Sequence, residues 1–67
     1  MDIDEKIFKL YEEVKKCAPW DIAFIDDINE VLCFDSKRAK RKCYKILLKR
    51  WVRWKRKWNK YIPDLRE

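Results

Sequence analysis

The 67-residue chain contains no glycine, no histidine and no threonine, and Ser36 is its only serine. Each absence removes a class of function. Without glycine there is neither a phosphate-cradling P-loop nor a dinucleotide-binding fingerprint. Without histidine there is no Ser/His or Cys/His catalytic pair and no histidine-containing zinc site. An enzyme is not expected, and no catalytic residue, cofactor or metal site is assigned. Asp26, Asp27 and Glu30 are the nearest approach to a magnesium site. They lie on one solvent face with no general base beside them, so solvation or pairing with cations is expected instead.

Cysteine is scarce and odd in number: Cys17, Cys33 and Cys43 form no CxxC pair. A disulfide scaffold uses an even and denser set. The expectation is three free thiols acting as small core hydrophobes in a reducing cytoplasm, with a Cys33–Cys43 bridge as the lesser alternative. No apolar run approaches the ~18 residues of a membrane span. The opening MDIDEK is acidic rather than signal-like, and a cytoplasmic location is expected. The absence of Gln, Thr, Gly and His beside 45% charged residues would suit selection at high temperature, and so small and basic a helical chain would suit a virus or plasmid.

What the chain does have is charge, unevenly placed. Residues 1–36 carry ten acids and four bases, and residues 37–67 carry fourteen bases and two acids. The halves are therefore −6 and +12, giving the net +6 of the whole. Asymmetry of this kind points to a polyanion, or to an acidic protein or membrane surface. It also allows the acidic half to neutralise part of the basic half within one fold.

The apolar pattern predicts an all-α domain: a small three-helix bundle with helices at about 3–17, 20–34 and 36–62. Ile3, Ile7, Leu10, Val14 and Cys17 make a helical stripe, with Asp2 and Asp4 at its positive end and Lys15 and Lys16 at its negative end. Pro19 breaks the run and is expected in the first turn of the second helix. Phe24, Ile25, Ile28, Val31 and Leu32 then share a face. Asp35 or Ser36 caps the third helix, and Pro63 stops it. A third helix of this length would be ~40 Å long against ~22 Å for its neighbours. In an up-down-up bundle its turns from about Val52 onward would then lack cover.

On a helical wheel the third helix divides in two. Arg38, Lys42, Lys45, Lys49, Arg53, Arg56 and Lys60 form one continuous cationic row, flanked by Arg41 and Lys57. These nine are the candidate nucleic-acid-binding residues. A one-sign row with no interspersed glutamate suggests a partner that supplies the neutralising charge, and nucleic acid is the densest such polyanion. Tyr44, Leu47, Trp51, Trp54, Trp58 and Tyr61 form the opposite stripe. Such a stripe is core or dimer interface first and a base-stacking surface second. Trp51, Trp54, Trp58 and Tyr61 are assigned to a two-fold interface that covers the overhang. Lys40 and Lys55 fall inside the apolar sector, with their stems expected to pack and their ammonium groups to reach water.

The function expected is a small non-enzymatic nucleic-acid-binding protein, acting as a homodimer on duplex or single strand with little sequence preference. A helix-turn-helix with Lys37–Lys45 reading bases is disfavoured, because that stretch has no Asn or Gln to read adenine. The rival is an adaptor that binds an acidic or apolar protein surface through the third helix. A peripheral binder of anionic membranes comes third.

Overall fold

A computed structural model of the chain describes residues 2–58. It contains three helices and no strand among those residues: α1 (Ile3–Cys17), α2 (Ile22–Leu32) and α3 (Lys37–Trp58). The all-α three-helix bundle read from the apolar periodicity is what the chain forms.

Each helix starts where a short polar side chain satisfies an orphan N–H. The Asp2 carboxylate accepts from the Ile3 N–H at 2.8 Å, and Asp4 and Glu5 occupy the first turn of α1. Asp21 accepts from the Phe24 N–H at 3.2 Å and so opens α2. Pro19 therefore lies in the connecting turn and not in the first turn of α2, a correction to the expected start at residue 20. The turn is closed by the Asp21 N–H donating to the Ala18 carbonyl at 3.0 Å. The second helix also ends earlier than residue 34: the Phe34 N–H donates to the Val31 carbonyl three residues back at 3.1 Å, a tightened closing bond in place of a helical one. Of the two caps proposed for α3, Ser36 supplies it: its hydroxyl accepts from the Ala39 N–H at 3.3 Å. The expected end of α3 at residue 62 lies outside the described residues.

The core is the meeting of three stripes. Ile3, Ile7, Leu10 and Val14 come from α1, Phe24, Ile28 and Val31 from α2, and Leu47 and Trp51 from α3, with Ala18 sealing the α1–α2 turn. Contacts between elements fix the directions. Asp2, Asp4 and Glu13 meet Lys37, Lys40 and Lys55 in that order, so α1 and α3 run parallel. Phe24 meets Trp51 at 6.0 Å between ring centroids, and Trp20 meets Trp54 at 6.1 Å. Numbers that fall on α2 while rising on α3 mean that α2 runs antiparallel to it. The bundle is up-down-up.

Trp51 is core, which corrects its assignment to an interface between two chains. It is 2% exposed, packed between Phe24 and the Trp54 ring, the latter stacked at 5.0 Å. Trp54 is half-buried between Trp51 and Trp20. Cover thus extends past Val52, because the α1–α2 turn carries Trp20 over the later turns of α3. The Trp58 side chain and Tyr61 lie outside the described residues.

Candidate nucleic-acid interface

The site is defined by which cations the fold uses internally and which it leaves. Four α3 cations are taken up by acids of the other helices. Lys37 Nζ lies 3.4 Å from Asp2, Lys40 Nζ 2.7 Å from Asp4, Arg50 Nη1 2.6 Å from Asp27 and Lys55 Nζ 3.2 Å from Glu13. None of these four belongs to the cationic row. Lys40 is the extreme case, 9% exposed overall. The expectation that Lys40 and Lys55 send their charge to water is corrected: both end on α1 carboxylates, because the parallel α1 sets an acid opposite each. Lys55 also stands 5.5 Å from the Trp51 ring, and Arg50 4.4 Å from the Phe24 ring.

The row itself is left over. Arg38, Lys42, Lys45, Lys49, Arg53 and Arg56 are all exposed, and none forms an ion pair among the described residues. The Ile3 N–H bonded to the Asp2 carboxyl, then Lys37 and last Arg41, exposed beside the row, hold that carboxyl below its ordinary value. Lys57 is exposed on the flank of the row, and Lys60 lies outside the described residues. Pairing of the row with Asp26, Asp27 and Glu30 does not occur: Asp27 holds Arg50 on the α2-facing side of α3, and Asp26 and Glu30 form no ion pair among the described residues. Exposed like charges along one helix face repel at low salt. Because ion pairs on such surfaces contribute only about 0–1 kcal/mol each, no stability argument explains the one-sign row.

One contributor was not legible in the helix pattern. Lys6 of α1 lines a groove of about 420 Å³ with Arg41, Tyr44, Lys45 and Leu48 of α3. Nothing in the first helix marks Lys6 apart from Lys9, Lys15 or Lys16; only the parallel packing of α1 on α3 brings it to the basic face. The cysteines are free, with Cys33 exposed and Cys17 and Cys43 half-buried. No helix among the described residues is long and apolar enough to cross a membrane.

Set beside protein-family models, curated proteins and solved structures, the chain matches none of them.

Proposed function

We propose that the protein is a small non-enzymatic nucleic-acid-binding protein that contacts phosphates through the outward face of α3. One observation carries the reading. The internal ion pairs take up four α3 cations, all outside the row, and six cations of one sign remain exposed and unpaired along it among the described residues. A polyanion neutralises such a row and gains entropy from the counterions it releases. Lys and Arg without Asn or Gln suit backbone contact with little base readout. The binding unit proposed is a single cytoplasmic chain. Against the two-fold pairing expected from an uncovered tryptophan stripe stand the burial of Trp51 and the half-burial of Trp54 within one chain.

The test is binding to DNA and RNA across a salt series. With about five phosphate contacts, log K against log salt is expected to slope near −4 to −5 on duplex. Reversing Lys45, Lys49 and Arg53 to Glu together is expected to abolish binding with helicity unchanged by circular dichroism, since all three are exposed. Undiminished binding by the folded triple variant overturns the proposal. Binding to anionic vesicles or to an acidic protein, with none to nucleic acid, assigns the row to those partners instead.

A further inference from the structure

The cationic row has an apolar ledge along one side. Tyr44, Leu48 and Val52 follow steps of four on α3, on the edge that faces α1. Leu48 is shared by two grooves. The first, of about 420 Å³, places it with Tyr44, Lys6, Arg41 and Lys45. The second, of about 290 Å³, places it with Val52, Lys49, Arg53 and Arg56. Sharing Leu48, the two follow one another along α3 from Arg41 to Arg56, a trough-like succession spanning ~22 Å of the helix. Cations follow it throughout, and its floor is a half-buried tyrosine and leucine followed by Val52, which is 45% exposed. Asp2 also lines the α1 end, but its carboxylate is already engaged by the Ile3 N–H and by Lys37.

We infer that this trough takes a single strand of nucleic acid in preference to a duplex, an inference that rests on the proposed phosphate-binding role of the same row. The chemistry of the two ligands differs in symmetry. A duplex buries its base faces in its own stack and offers phosphates and groove edges. A single strand offers phosphates on one side and unstacked apolar base faces on the other. The trough has the same two-sided character, with charge along one edge and an apolar ledge along its floor. Phosphates lie along Lys45, Lys49 and Arg53 while bases lie against the ledge, with one stacked on Tyr44, beside which Lys6 and Arg41 supply further charge. The tryptophans do not take this part. Trp51 is sealed in the core, and Trp54 faces Trp20 and Trp51 on the α2 side of the bundle.

Fluorescence anisotropy at one fixed salt concentration tests this with three labelled probes carrying the same number of phosphates. These are an oligo(dT) of about 12 nucleotides, an abasic strand of equal length, and a duplex. The intact single strand is expected to bind about tenfold more tightly than either of the others, the factor that one stacked base provides. Tyr44→Leu, which keeps an apolar side chain at this half-buried position, is expected to bring oligo(dT) down to the abasic level while leaving the duplex affinity unchanged. Val52→Ser, at an exposed site where folding is not at stake, is expected to weaken oligo(dT) alone by a smaller factor. Equal affinity for the abasic and intact strands, or a duplex that binds as tightly as oligo(dT), overturns the inference. If the Lys45/Lys49/Arg53 reversal still abolishes binding in that case, the phosphate-binding role survives. If no probe binds at all, both fall.

Discussion

At the scale of the residue, Trp51 shows how position reassigns a side chain. Spacing alone placed it in a stripe that reads as core or dimer interface first and as a stacking surface second. In the fold it is enclosed by Phe24 and Trp54, and its indole N–H finds no acceptor among the described residues. A buried donor left without a partner costs about 1–3 kcal/mol, so the value of this side chain lies in its area and ring contacts. Trp51→Phe, which removes the unsatisfied donor and keeps a ring at the loss of part of the indole volume, is expected to cost less than Trp51→Ala in urea unfolding. Trp51→Ala, which leaves a cavity beneath Trp54, is expected to cost about 3–5 kcal/mol. Equal losses for the two variants would mean that the indole N–H has a structural role.

At the scale of the element, α3 is amphipathic in an unequal way. Its apolar sector contains two lysines, and the register of α1 decides what they do. Lys40 is the more demanding, since its ammonium is taken from water and answered by Asp4 at 2.7 Å. Removing one partner of such a pair is costlier than replacing the buried member by an apolar side chain. Asp4→Ala is expected to destabilise the bundle by about 1–3 kcal/mol, whereas Lys40→Met is expected to be neutral or stabilising. Thermal melts of both variants and of the double variant check this, and a Lys40→Met loss equal to that of Asp4→Ala contradicts it. The Lys55–Glu13 pair is exposed by 33% and 49% at its two side chains. It contributes little by comparison, and together with Asp2–Lys37 and Asp4–Lys40 it forms only with α1 parallel to α3.

At the scale of the molecule, the opposed charges of the two halves have two destinations. Asp2, Asp4, Glu13 and Asp27 neutralise the cations that face inward or sideways. The outward row is left to the solvent side. Trp20 is 61% exposed while its ring lies against Trp54, so Trp54 is partly covered from within the chain. Sedimentation at micromolar concentration is accordingly expected to show a folded monomer. A stable dimer would show that apolar surface left open by the single chain, such as Ile46 and Val52, or residues beyond 58, pairs two copies.

Much of this protein was determined by its sequence alone. Strong 3.6-residue periodicity and the break at Pro19 sufficed for three helices and for the core positions of α1 and α2, because a helix's buried face is a local property of spacing. The cationic row was legible for the same reason. Helix ends were less so: Asp21 against Pro19, and Ser36 against Asp35, compete on nearly equal local terms, and the hydrogen bond made in the folded chain decides. Three matters waited for the tertiary structure. It decided which cations are neutralised and which are free, it brought Lys6 to the α3 face, and it covered Trp51 and Trp54 with residues from distant positions. Each depends on the relative register and direction of two helices, and that is a property of packing between elements, which no single helix encodes.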